Sequence, residues 1–336
     1  MEHPWSSSAT ASLMMFKLNI LPFWCCETFR RSSNSFSTIP SSLGSITGSQ
    51  LLSSIRPQPP FQTGHPSLDL LFNNRSLKRR HEAIELVPSS PAGLSRRQHL
   101  QIEGPPGVGK TKVAIGIAVR ARTASLITRR AEEVEVLYID ADGSAPARLF
   151  EDSAQGVVEE LQENRDGLID RICEGIHLVR ITSTADLIFF FLRLSRWLAE
   201  HPKTKMIVLD SLTAHTKYVS MTIEERALVG QHIREAIKFA TTSFNCTVIM
   251  TTQPTKKGTP GNTILLTPEF RPSSAWSSLP SILKLRMRFE SNGTRKAAVI
   301  EQDSSPNALG RFKGEVIFEL NNIGICEPRQ SQSQAT

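Results

Sequence analysis

The chain is most tightly constrained by the stretch Leu100 to Lys112, in which an apolar run passes into a turn rich in glycine and proline and then into Lys-Thr. Val113, Ala114, Ile117 and Ala118 follow at helical spacing. A turn of this kind, entered from a strand and left through a helix, is built to hold phosphate. Gly104, Pro105, Pro106, Gly107, Val108 and Gly109 let successive backbone N–H groups turn inward, and the helix N-terminus adds partial positive charge. Lys110 brings a point charge to the phosphates, and the Thr111 hydroxyl is suited to ligate Mg²⁺. The motif predicts that the chain binds a nucleoside triphosphate, with ATP and Mg²⁺ as the expected pair.

The remaining composition narrows the class without naming a partner. The 336 residues carry a formal net charge of +7, which permits an anionic partner but does not identify one. Cys25, Cys26, Cys173, Cys246 and Cys326 show no metal-ligand spacing, which suits free thiols in a reducing compartment. No stretch approaches the ~20 apolar residues of a membrane span. Ile188 to Leu192 is too short and runs at once into Arg193 and Arg196, so no membrane partner is expected.

Residues 1–62 differ in texture from the rest. Serine recurs in clusters, and the only acids are Glu2 and Glu27 against Lys17, Arg30, Arg31 and Arg56. This reads as a disordered N-terminal tail; a mitochondrial transit peptide shares the composition and is the alternative. The folded unit is expected over 63–325, with an insertion at about 73–97 and a polar C-terminal tail over 326–336. The insertion holds the basic cluster Lys78-Arg79-Arg80-His81, read as a solvated loop ahead of a nuclear address or a phosphate-contacting patch.

From the glycine-rich turn onward, apolar strand-like runs alternate with helical stretches. Strands are expected at Val134 to Asp140, Ile176 to Ile181, Met206 to Asp210 and Cys246 to Thr252. Helices are expected over 147–173 with a break near Gly167, from Thr184 to Ala199, and from a Thr222 cap to about Thr242. The alternation predicts an α/β fold: a mainly parallel sheet with helices on both faces. Residues 254–275 read as a long loop. Three strands then follow without helices, Ser281 to Phe289, Lys296 to Gln302 and Glu315 to Leu320, with Asn292-Gly293 as a hairpin signal. They predict an antiparallel C-terminal extension.

Further residues are expected at the phosphate edge of the sheet. Asp210 ends a buried strand, where a second carboxylate would hold Mg²⁺ directly or through water. Asp140 and Asp142 end the strand after the P-loop helix, and either could orient a water against the γ-phosphate. Gln253 ends the last parallel strand on the same edge, where an amide can bond the γ-phosphate and report its presence to the loop that follows.

Gly104–Thr111, Tyr138 to Gly143, Ile207 to Ser211 and Val248 to Gln253 follow the motif order of RecA-like recombinases, which this chain resembles over about residues 63–325. Thr63-Gly64 with Leu68 to Leu71 looks like that family's lead-in to the P-loop. Asp303 to Pro306 resembles the segment that there lies over a neighbouring subunit's nucleotide. Within the family the chain is most similar to eukaryotic recombinase paralogs, above all the C-type paralog. Leu194, Trp197 to His201 and Gln253 to Lys257 carry that similarity. The resemblance implies a RecA-like P-loop ATPase core and a nuclear protein that assists homologous recombination and double-strand-break repair. Its implied partners are other recombinase paralogs, the main recombinase and single-stranded DNA. It casts Asp142 and Gln253 as catalytic and Arg148 as the residue stacking on adenine. It also implies DNA contacts from two loops, through Lys217 in one and Lys256, Lys257 and Arg271 in the other.

Three departures from the family pattern bear on activity. Active recombinases carry glutamate where this chain has Asp142, which is one methylene shorter. The segment from Asp142 to Arg148 is one residue shorter, and no small N-terminal helical domain is evident in residues 1–60. A weak DNA-dependent ATPase acting as a regulatory subunit is therefore the first expectation. A catalytic recombinase that exchanges strands itself is the second. A P-loop kinase or ATPase with a non-DNA substrate is the third.

Overall fold

The computed structural model describes residues 58–72, 92–128, 132–163, 166–211, 223–253, 282–302 and 310–328. Strand β1 (His99–Glu103) leads into helix α2 (Lys110–Ile127), and helix α1 (Pro66–Phe72) precedes both. The alternation continues through β2 (Glu135–Asp140), α3 (Ala147–Glu160), α4 (Leu168–Glu174), β3 (Ile176–Arg180), α5 (Thr184–Glu200), β4 (Thr204–Asp210), α6 (Ile223–Phe244) and β5 (Thr247–Thr252). The chain then forms β6 (Ile282–Phe289), β7 (Arg295–Gln302), β8 (Arg311–Asn321) and β9 (Gly324–Cys326). All of these strands join one sheet in the order β3-β2-β4-β5-β1-β6-β7-β8-β9.

Successive strand residues point to opposite faces, so each central strand feeds two cores. Val136, Tyr138, Met206, Val208 and Ile249 join the core under α2, α3 and α4. Leu137, Ile139, Ile207, Leu209, Val248 and Met250 join the core under α5 and α6. Burial on both faces explains the nearly unbroken apolar runs of β2, β4 and β5. Helix α2 is buried around most of its circumference, whereas α3 and α5 bury one face each. The Ser183 Oγ caps α5 by accepting from the Asp186 N–H at 3.1 Å. Among the described residues no helix is long and apolar enough to cross a membrane.

The α/β fold with a mainly parallel sheet is as the sequence predicts, and the extension differs in one respect. Strand β6 lies parallel to β1, and only from β6 onward do β7, β8 and β9 pair antiparallel. The three-residue strand β9 has no counterpart in the sequence reading, being too short to carry a periodic pattern. Phe61, within the stretch read as tail, is buried and pairs with Leu94, within the stretch read as insertion. The Arg96 guanidinium lies 3.9 Å from the Phe61 ring centroid. Thr222, the residues between Pro254 and Ser281, and Asp303 to Pro306 lie outside the described residues.

The lead-in to the sheet is held by a buried carboxylate. The Thr63 N–H donates to Asp69 Oδ1 at 2.9 Å. Burial raises the Asp69 pKa from 3.8 to about 6, against the opposing pull of Thr63 and Arg120. The folded state thus holds this proton more tightly than the unfolded chain, and the stability contributed by protonated Asp69 is lost as pH rises from about 4 through about 6. Asn at this position keeps the acceptor and removes the charge. Asp69→Asn is expected to stabilise the chain by about 2 kcal/mol at pH 7.5 and by almost nothing near pH 4. Urea unfolding at both pH values measures the difference. His99, whose pKa burial lowers to about 4, pulls the other way: its stability contribution is lost as pH falls below about 6.5. It is present in both chains and cancels from the comparison. Equal stabilisation at both pH values would mean that Asp69 ionisation is not the cause.

Candidate nucleotide site

The P-loop sits at the C-terminal edge of the sheet because β1 is central and α2 starts where the loop ends. Val108 is fully buried and anchors the loop from within, while its N–H reaches the Pro105 carbonyl at 3.4 Å. Gly109 ends the loop at φ 105°, left-handed backbone that side chains other than glycine rarely adopt. Lys110 lies almost wholly inside the loop, with its Nζ donating to the carbonyls of Gly104 at 3.0 Å and Pro105 at 3.1 Å. The first turn of α2 therefore presents its N–H groups and an ammonium to one concavity, which fits phosphate.

Asp210 arrives beside this helix start because β4 reaches the same edge, two strands from β1. Its carboxylate is clamped on both oxygens. The Tyr138 hydroxyl donates to Oδ2 at 2.7 Å, and the Thr251 hydroxyl donates to Oδ1. Burial raises the Asp210 pKa, the hydrogen bonds from Thr251, Tyr138 and Thr111 lower it, and the charge of Asp142 raises it further. The Tyr138 phenol is driven well above its usual pKa by burial and then by Asp210, so it remains a donor. The Asp210–Ser211 peptide is cis.

Asp140 and Asp142 have separate tasks. Asp140 is buried, and its Oδ1 accepts from the N–H groups of Gly143 at 2.8 Å and Ser144 at 3.2 Å. Its Oδ2 accepts from Arg180 at 2.6 Å and from the Ala145 N–H at 3.4 Å. Asp140 thus shapes the loop and has little left for a substrate. Asp142 is the exposed acid, with one oxygen accepting from its own loop at the Ser144 N–H, 3.0 Å away. The same loop brings the Ser144 hydroxyl to 3.1 Å from the Thr111 hydroxyl.

The donor set fits Mg²⁺. The Thr111 hydroxyl and the Asp210 carboxylate are hard oxygen donors at one place, and a divalent cation would offset the cost of burying Asp210. Among the described residues no group of three or more His, Cys, Asp or Glu could hold a metal by itself.

Of the residues expected from sequence, Gly104 to Thr111, Asp142 and Asp210 converge. Gln253 follows β5, whose Thr252 lies in register with Glu103 at the start of the loop. Arg148 is almost fully exposed on α3 and faces Asp152 on its own helix at 3.8 Å. Lys217, Lys256, Lys257 and Arg271 lie outside the described residues. Sequence reasoning missed Tyr138, Thr251, Ser144 and Arg180. A hydroxyl one or two residues before a strand end, as at Thr251 and Tyr138, is too common a feature to mark either of them.

Residues 93–259 match the family model of an AAA domain, and the match spans the P-loop, Asp210 and Gln253. No curated protein matches the chain. The P-loop geometry and the AAA match agree, and together they support a nucleotide-binding P-loop ATPase domain at the centre of this chain.

Proposed function

We propose that this chain is a regulatory recombinase paralog. It binds ATP with Mg²⁺, turns it over slowly, and assembles with related subunits to support the main recombinase on single-stranded DNA in the nucleus. ATP acts as a conformational ligand at subunit contacts, shifting assembly by binding one arrangement better than another. The motif order quoted above supports the recombinase side of the reading.

The observation that carries the regulatory side is Asp142. The phosphate cradle and the clamped Asp210 are in place, but Asp142, the exposed acid beside them, is short and folded back on the Ser144 N–H. A water held by a longer acid would be misplaced here, and an error of about 1 Å can cost about a hundredfold in rate. The direct test is ATP turnover by the full chain with and without single-stranded DNA, alongside nucleotide binding. Tight binding with slow turnover in both cases supports the reading. Strong stimulation by DNA would replace it with the catalytic recombinase.

Asp142→Glu isolates side-chain reach. The variant is expected to raise ATP turnover by about tenfold, recovering part of the penalty for misplacement, while nucleotide affinity stays the same. Single-turnover hydrolysis with saturating protein measures it. An unchanged rate would put the limitation elsewhere than in the length of this acid.

A further inference from the structure

The C-terminal hairpin reaches back onto the P-loop. Strand β8 ends at Leu320 and Asn321, the chain turns, and β9 returns from Gly324. The Asn321 Oδ1 accepts from the Ile323 N–H at 2.9 Å and fixes the turn. The Leu320 side chain fills the space that a Cβ on Gly109 would take, with Cγ and Cδ2 at 3.2 and 3.3 Å from that point. Ile323 packs elsewhere, against Gly116 of α2 and Gly156 of α3. One hairpin therefore touches the loop through Leu320 and the helices through Ile323. Both residues lie beyond the segment matched to the AAA domain.

We propose that Leu320 is a positioning residue of the nucleotide site, holding the P-loop in its binding conformation through Gly109. The inference rests on the P-loop reading of that site. Glycine lacks the side chain that would restrict its own backbone, so the left-handed turn at Gly109 depends on its surroundings. Leu320 supplies a wall on the side where a Cβ would otherwise stand. Its removal leaves the loop free to sample other shapes, and affinity falls by the fraction of time that the binding shape is lost.

The test uses the full chain with three variants: Leu320→Ala, Leu320→Met and Ile323→Ala. Each is titrated with fluorescent ADP and with inorganic tripolyphosphate, and unfolded in urea. If the competent loop population drops to about one tenth, Leu320→Ala weakens both probes by about tenfold. Leu320→Met restores most of the loss. Ile323→Ala shifts the unfolding midpoint as far as Leu320→Ala does, yet leaves both affinities unchanged. Equal loss of affinity in the two alanine variants, or none in Leu320→Ala, would overturn the proposal while the P-loop reading stands. A wild-type chain that binds neither probe would overturn both.

Discussion

Lys110→Ala is expected to weaken ATP binding by about a hundredfold, which corresponds to about 2.7 kcal/mol. The size follows from where the ammonium sits. Lys110 is nearly buried inside the loop and donates to two carbonyls of the loop itself, at Gly104 and Pro105. A triphosphate in the same concavity offers that ammonium charged oxygens in place of neutral carbonyls, and charge-assisted hydrogen bonds are roughly twice as strong as neutral ones. Losing one partner of a desolvated charge pair costs about 2–5 kcal/mol. The effect on folding is expected to be small, about 1 kcal/mol, since the bonds lost at the buried Gly104 carbonyl and the part-buried Pro105 carbonyl are offset by no longer burying the ammonium itself. Calorimetric titration with ATP and Mg²⁺, beside a thermal melt, separates the two. Unchanged affinity would remove the nucleotide reading of the loop; a collapsed melt would make Lys110 a structural residue first.

The parts of the site that could be read from sequence are those that a fixed spacing or a buried strand announces. Gly104 to Thr111 carry a spacing that the phosphate cradle demands. Asp210 stands at the end of a strand buried on both faces, where a carboxylate needs a reason. The sheet was legible for a related reason: β2, β4 and β5 are apolar on successive residues, as a parallel sheet covered on both faces requires. The division of labour between Asp140 and Asp142 was not legible. Both are acids at one strand end, and only the loop geometry gives one to the backbone and Arg180 and leaves the other exposed. Tyr138 and Thr251 were equally silent, because each reaches Asp210 from another strand.

The docking of the hairpin left a fainter mark. Gly116 and Gly156 lie inside helices, where glycine costs about 1 kcal/mol relative to alanine, and such a residue signals a close approach. The pattern could not say what approaches, because Ile323 lies in a turn and Gly324 opens a strand too short to be read, both far away in sequence. Strand β6 illustrates the same limit. Its residues alternate as an edge strand's would, yet it continues the parallel sheet beside β1, because pairing direction is set by a connection and not by composition.

Gly116→Ala is expected to destabilise the chain by about 3 kcal/mol, and Gly156→Ala to leave stability almost unchanged. In isolation the two substitutions are the same: alanine in place of glycine within a helix gains about 1 kcal/mol. What differs is the obstacle. A Cβ at Gly116 would meet the carbonyl oxygen of Ile323 inside van der Waals contact and the Gly324 Cα at 3.0 Å, both backbone atoms of a turn already fixed by Asn321. Backbone yields only if the whole hairpin lifts, and forced insertions of this kind cost about 1–3 kcal/mol or more. A Cβ at Gly156 would meet the Ile323 Cγ1 at 2.8 Å, and that side chain can turn to another rotamer at a cost of about 1 kcal/mol, which the helix gain offsets. Urea unfolding followed by far-ultraviolet circular dichroism gives both numbers, and limited proteolysis between β8 and β9 shows whether the hairpin has lifted. Equal stability in the two variants would mean that the hairpin does not sit on α2 at Gly116. A large loss in Gly116→Ala with a cleaved hairpin and weakened nucleotide binding would tie the C-terminal strands to the phosphate cradle, since a lifted hairpin backbone would carry Leu320 away from Gly109.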